Sequence, residues 1–166
     1  MNSYRIHPSI LAAEERSLYH VLTLIVAQRA LLFSKVKLST LIEPAFGHNK
    51  SALGNRLDHY VVDFVFCDRS STRPLFVILV EGTQSPEGAQ VAAHEAIQPL
   101  CAAAGLPVLR LRHQSAYRMD TLQQMIEPLL SGDPRGSDYE QGDRVAVRSN
   151  RDTHLFPLAG SLFSPN

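Results

Sequence analysis

Several features that would identify a class of function directly are missing from this 166-residue sequence. It has two cysteines, Cys67 and Cys101, and neither has a cysteine or histidine nearby at the spacing of a zinc site. The seven histidines are scattered, and no two of them have HxxxH spacing. We therefore expect no zinc site. Since both cysteines lie in apolar runs, we expect buried free thiols in a reducing compartment.

An excess of charge of either sign is also missing. Sixteen basic and sixteen acidic residues give a formal net charge of +0. Strongly nucleic-acid-binding domains usually carry a basic excess or a basic face, so this balance argues against tight, non-specific DNA binding but leaves room for a local patch. No lysine or arginine lies between Arg73 and Arg110, and this stretch therefore supplies no cationic contacts to phosphates.

Long apolar runs are missing as well. The longest apolar stretch, residues 18–33, is interrupted by His20, Gln28 and Arg29 and falls short of a membrane span. The first residues lack the apolar core of a signal peptide. We therefore expect a cytoplasmic protein with no membrane partner.

The patterns that are present predict one α/β domain. Apolar residues make up 45% and charged residues 19% of the chain, a globular composition whose length suits a single domain. The predicted elements are a helix capped by Ser9 near residue 10 or 11, a strand at 31–38, a helical turn at 38–42, a loop at 44–55, strands at 60–67 and 75–81, a helix at 86–104, a strand at 107–112, and a helix at 121–130 capped by Asp120.

The connections between these elements predict the topology. A short polar turn between the strands at 60–67 and 75–81 indicates a hairpin, and the following helix is long enough for a right-handed crossover to a parallel strand. Lys35 and Lys37 are expected to face water from the first strand. We predict a domain over residues 9–130 and a flexible tail over 131–166, whose apolar clusters could contact a protein partner.

Two carboxylates in apolar strands are the main candidates for a functional site. Asp63 lies within Val62-Asp63-Phe64, and Glu81 ends Leu79-Val80-Glu81. A carboxylate in such a strand is costly unless it is paired, hydrogen-bonded or bound to a cation. Both could bind one Mg²⁺ that activates water against a phosphodiester. Alternatively, Asp63 pairs with a core arginine or caps a turn, and Glu81 is solvated; for two isolated carboxylates this is the commoner case.

The order of elements around these carboxylates resembles the core of the restriction-endonuclease-like PD-(D/E)XK superfamily. Within it, the chain resembles the bacterial domain of unknown function 2726, a branch related to very-short-patch-repair-type endonucleases. The strings that carry this resemblance, spread in order over about residues 11–130, are Glu14-Glu15-Arg16-Ser17-Leu18-Tyr19, Lys35-Val36-Lys37-Leu38, Val62-Asp63-Phe64-Val65-Phe66-Cys67-Asp68, Glu81-Gly82 and Ala103-Ala104-Gly105-Leu106-Pro107-Val108-Leu109-Arg110. The resemblance implies a restriction-endonuclease-like αβββαβ core with a mixed sheet flanked by helices.

The third strand departs from the family pattern of glutamate, an apolar residue, aspartate and then glycine or aspartate. Leu79 stands at the glutamate, Glu81 stands at the aspartate, and Ser85 stands where a histidine often follows. The resemblance therefore implies catalytic residues Asp63, Glu81 and Glu15 and metal ligands Asp63 and Glu81, with one ligand lost. The residues that could replace this ligand are Gln84, His94 and Glu95.

Two functions follow from this resemblance. Because a leucine cannot bind a cation, the first is a degenerate nuclease that acts as a binding module for nucleic acid or a protein partner. The alternative is a Mg²⁺-dependent nuclease that hydrolyses phosphodiester bonds. The residues expected to contact phosphates are Lys35, Lys37, Arg110 and Arg112, of which the two arginines alternate with leucines and share one face of a strand.

Overall fold

A computed structural model describes residues 4–45, 50–82 and 87–132, without the side chains of Glu14, 50–53 and 87–90. It has the predicted α/β fold, a helix followed by a four-stranded mixed sheet with flanking helices. The elements are α1 (Ala13–Val26), β1 (Ala30–Lys37), α2 (Leu38–Leu41), α3 (Lys50–Leu57), β2 (Val61–Asp68), β3 (Pro74–Glu81), α4 (Glu87–Ala103), β4 (Val108–Arg112) and α5 (Met119–Ser131).

The four strands lie in the order β1-β2-β3-β4. Strand β2 is antiparallel to β1 and to β3, which confirms the predicted hairpin. Strands β3 and β4 are parallel and are connected through α4, which confirms the predicted parallel pair. These directions bring the ends of β1, β3 and β4 and the start of β2 to the same side. We call this side, marked by Lys37, Val61, Glu81 and Arg112, the carboxyl end of the sheet.

Apolar residues cover both faces of the sheet. On one face, Leu18 and Leu22 of α1 and Ile126 of α5 pack against Phe64 and its neighbours, all fully buried. On the other face, Ile97 and Cys101 of α4 belong to a second apolar cluster, which also includes Leu79 of β3. Burial on both faces explains why β2 and β3 read as nearly continuous apolar runs in the sequence.

Two helix boundaries differ from the prediction. The first helix begins at Ala13 rather than near residue 10, because the Ser9 hydroxyl is engaged in a local turn with the backbone of Leu11. Asp120 lies inside the first turn of α5 rather than at its cap, and its carboxylate accepts a hydrogen bond from Arg118 at 2.9 Å.

The predicted loop at 44–55 is wrong from residue 50 onward, where helix α3 begins. Glycine, proline and asparagine favour a loop here, but they act only locally. The last residue of α3, Leu57, is buried in the apolar cluster beneath α4. Burial of this side chain stabilises a helix that local propensity does not indicate.

Both cysteines are buried free thiols in the cluster beneath α4. Burial raises the pKa of the Cys101 thiol to about 12 and also raises the pKa of Cys67. Because the thiolate is the reactive form, neither thiol of the native protein should react with Ellman's reagent at pH 8, whereas both should react in guanidinium chloride. Rapid labelling of either cysteine in the native protein would contradict this packing.

No helix in residues 4–45, 50–82 and 87–132 is long and apolar enough to cross a membrane. Ser131, the predicted first residue of the tail, is the last residue of α5. The rest of the predicted tail, from residue 133 onward, lies outside the described residues.

Candidate functional site

Asp63 is a carboxylate built into the sheet. It lies in β2 with 5% of its surface exposed. Toward the start of β2, the last residue pair between β2 and β3 is Phe64 with Ile78. One residue beyond this pair, Asp63 Oδ2 accepts a hydrogen bond from the backbone N–H of Val80 at 2.8 Å. This hydrogen bond fixes the position of the Asp63 side chain against β3.

Lys35 places a positive charge against this carboxylate. On β1, Ser34 pairs with Phe64 and Val36 pairs with Val62, so Lys35 lies opposite Asp63. Its Nζ donates to Asp63 Oδ1 at 2.8 Å and to Glu15 Oε1 at 2.5 Å. We name these three residues the buried triad.

Lys35 and Lys37 are both exposed residues of β1, as predicted. The Lys35 side chain is nevertheless partly covered, with 33% of its surface exposed, and its amine ends between two buried carboxylates. Lys35 has a φ of +54°, a left-handed conformation that is uncommon for residues other than glycine. This conformation costs a lysine roughly 1 kcal/mol or more, so the contacts of its amine must offset it.

Glu15 joins the triad from the first turn of α1, with 4% of its surface exposed. Its Oε2 accepts a hydrogen bond from the N–H of Ala12 at 3.0 Å, and this contact also caps the helix. Burial opposes the charge on Lys35, but hydrogen bonds to Asp63 and Glu15 outweigh it and raise the pKa of Lys35. Lys35 is therefore an ammonium ion at neutral pH, held by two carboxylates.

His94 of α4 is the fourth member of this centre, and 4% of its surface is exposed. Its Nε2 lies 3.6 Å from Asp63 Oδ2, beyond hydrogen-bond length. Burial lowers the pKa of His94; Asp63 opposes this shift and Arg110 adds to it. Three residues were predicted as possible replacement ligands. His94 lies beside Asp63, whereas Glu95 is exposed. Gln84 lies outside the described residues.

Glu81 has a cationic partner of its own. At the end of β3 its Oε1 accepts a hydrogen bond from Arg110 Nη2 of β4, and Arg110 Nη1 donates to Gln98 Oε1 at 3.3 Å. The parallel register explains the meeting, since Arg110 lies opposite Leu79, two residues before Glu81. Among the described residues, no group of three metal-ligating side chains is placed to hold a metal ion.

Leu79 is the residue at which the sequence resemblance implies a glutamate. Its side chain is fully buried in the apolar cluster with Ile97 and Cys101. A carboxylate at this point would be surrounded by hydrocarbon, and its burial without a partner would be costly. Leu79 is therefore part of the apolar core and supplies no polar group to the end of β3.

The four predicted phosphate-binding residues all lie near the carboxyl end of the sheet. Lys35 and Arg110 are engaged in internal ion pairs, whereas Lys37 and Arg112 are exposed. Lys37 ends β1 and Arg112 ends β4, the first and last strands in the sheet order. Three strand spacings separate them, about 14 Å. Two solvated cations therefore flank the internal ion pairs.

Comparison with known families gives one result that spans this site. A family model described as a protein of unknown function, DUF2726, matches residues 7–129, which include every site residue named above. No curated protein and no solved structure matches the chain.

Proposed function

We propose that this chain, which belongs to the DUF2726 family of unknown function, is a degenerate member of the restriction-endonuclease-like PD-(D/E)XK superfamily that binds nucleic acid without cleaving it. The order of its helices and strands and the positions of Glu15, Asp63 and Glu81 support the superfamily assignment. Fold alone does not imply activity, so the argument about function rests on the site.

The observation that carries the proposal is the ammonium group of Lys35 between Glu15 and Asp63. A Mg²⁺ ion bound by these carboxylates would have to displace this internal cation. Removing one partner of a buried ion pair typically costs about 3–5 kcal/mol, which opposes metal binding. With Glu81 held by Arg110 and Leu79 in the core, the residues as arranged do not fit a Mg²⁺ site.

Nucleic acid is favoured over a protein partner by the charges at the carboxyl end of the sheet. Three carboxylates, those of the triad and Glu81, lie there with four cations. Two of these cations, Lys37 and Arg112, are exposed on opposite sides of the ion pairs. Exposed cations of this kind contact phosphates and position a strand, and they do not read its sequence.

A binding assay tests this surface. Wild-type protein should bind labelled DNA or RNA with an affinity that falls as salt rises, since phosphate contacts release counterions. Changing both Lys37 and Arg112 to glutamine should reduce the slope of the logarithm of the association constant against the logarithm of the salt concentration by about two. The matched control is Arg73→Gln, an exposed arginine in the turn between β2 and β3, which should leave the slope unchanged. Absence of binding by the wild type would favour a protein partner instead.

One observation favours the alternative, a Mg²⁺-dependent nuclease. Glu15 and Asp63 both contact the same cationic nitrogen, so two carboxylates already share one cation. Incubation of labelled DNA and RNA with Mg²⁺ or Mn²⁺ separates the two functions. We expect wild type and Asp63→Asn to show no difference in nicking or degradation. Cleavage that is lost in a folded Asp63→Asn protein would establish the nuclease.

A further inference from the structure

The segment that precedes α1 presents large apolar side chains to solvent. Residues 4–10 are all exposed, whereas Leu11 is buried in the apolar cluster that α1 forms with the sheet. Tyr4 and Ile6 are 91% and 95% exposed, and Ile10 is exposed as well. Single exposed apolar residues are common on protein surfaces, but three within one short segment indicate a contact surface. We call residues 4–10 the arm.

The arm leaves the domain beside the buried triad. The backbone N–H of Ala12 donates to Glu15 Oε2 at 3.0 Å, and Glu15 Oε1 accepts from Lys35. Lys35 lies close to Lys37, the residue that ends β1. The base of the arm is therefore at the carboxyl end of the sheet, where Lys37 and Arg112 are exposed.

The arm has a fixed base and a long reach. The Ser9 hydroxyl donates to the Leu11 carbonyl at 2.7 Å and accepts from the Leu11 N–H at 3.2 Å, and the ring of Pro8 fixes one backbone angle. From Leu11 to Tyr4 an extended chain spans at most about 25 Å. This reach exceeds the distance of about 14 Å between the two exposed cations. The arm is therefore long enough to contact a strand that binds both of them.

The composition of the arm favours nucleic acid as the molecule that it contacts. It carries Arg5 and no acidic residue, since the first acidic residue in the sequence is Glu14. In the described part of the chain, Arg5 has no ion pair and Tyr4 has no ring contact. Proteins bind single strands through aromatic rings that stack on bases and cations that contact phosphates. The stacked base pairs of a duplex hide the faces that such a ring would contact.

We infer that the arm binds a single strand of nucleic acid at the carboxyl end of the sheet, with Tyr4 stacked on an unpaired base and Arg5 against a phosphate. This inference rests on the proposed function and makes it more specific. Lys37 and Arg112 contact the backbone of any strand, whereas Tyr4 requires a base that is not paired.

The test measures binding of one labelled oligonucleotide to the full-length protein, both as a single strand and as a duplex with its complement. Tyr4→Ala should weaken binding of the single strand about ten-fold, the effect of losing one stacked ring, and leave the affinity for the duplex unchanged. Tyr4→Phe keeps the ring and should bind like the wild type. The matched control is Leu24→Ala, an exposed apolar residue near the other end of α1, which should change neither affinity.

The absence of tryptophan from the sequence allows a second readout. Tyr4→Trp introduces a single tryptophan, and a base stacked on it should quench its fluorescence when the single strand is added but not when the duplex is added. Leu24→Trp, the control, should show no quenching with either. Because both side chains are exposed, neither substitution should lower the Tm.

Three results would contradict this inference, and they differ in what they leave. Salt-dependent binding of both oligonucleotides that is unchanged in Tyr4→Ala would overturn the role of the arm and leave the proposed function intact. Failure of the wild type to bind either oligonucleotide would overturn both. A dimer that light scattering detects for the wild type but not for Tyr4→Ala would assign the arm to a second copy of the chain instead.

Discussion

Replacing Asp63 by alanine is expected to lower the free energy of unfolding by about 3 kcal/mol, the lower end of the range for breaking a buried ion pair. The lower end applies because the Lys35 side chain is 33% exposed and water can partly solvate it. The substitution withdraws one carboxylate from Lys35 and also removes the acceptor of the Val80 N–H. Urea unfolding of the two proteins measures the difference.

Asp63→Asn is the matched control for this loss. Asparagine keeps the shape of the side chain and an oxygen that can accept from Val80, but it loses the charge that holds Lys35. Its stability should therefore lie between those of wild type and Asp63→Ala. If Asp63→Ala unfolds at the same urea concentration as wild type, the ion pair contributes nothing to the fold. Because Asp63→Ala is expected to be unstable, assays of activity should use the asparagine variant.

The second large effect is expected for Lys35→Met. It leaves Glu15 and Asp63, which are 4% and 5% exposed, without their shared cation. We expect a loss of about 3 kcal/mol in the free energy of unfolding, since two uncompensated carboxylates stay buried. Mg²⁺ and Mn²⁺ prefer oxygen ligands, and the two carboxylates are free to bind such an ion once the lysine is removed. Millimolar Mg²⁺ or Mn²⁺ should therefore raise the Tm of Lys35→Met and leave that of wild type unchanged.

Lys37→Met, two residues further along the same strand, is the control for this experiment. Lys37 is exposed, so its replacement should change neither the stability nor the response to metal ions. An increase in the Tm of the wild type by the same metal concentrations would mean that Lys35 does not exclude a cation. That result would favour the nuclease over the binding module.

The sequence predicts the sheet well because its signals are local and strong. Strands β2 and β3 are rich in β-branched and aromatic residues, and the length of α4 indicates a crossover. Helix α3 is missed because its stability depends on the burial of Leu57, which local propensity does not reveal.

The candidate site is predicted only in part. Asp63 stands out as a carboxylate in an apolar strand, and Glu15 is suggested by the resemblance alone. The structure brings the two together through Lys35. Alternation along β1 predicts that Lys35 is exposed, but it gives no signal that the amine contacts two buried carboxylates. The pairing of Glu81 with Arg110 depends on the register of two parallel strands, which the sequence of neither strand specifies.

The left-handed residue in β1 has a consequence for how molecules of this protein meet one another. In the described part of the chain, β1 pairs only with β2, so its other side presents backbone groups to solvent. A long, regular edge strand of this kind is a template for aggregation, and proteins interrupt such edges with bulges and lysines. The left-handed backbone at Lys35, followed by the exposed Lys37, interrupts this edge near the end of β1. The residue that holds the two carboxylates together therefore also protects the folded chain against sheet-to-sheet association.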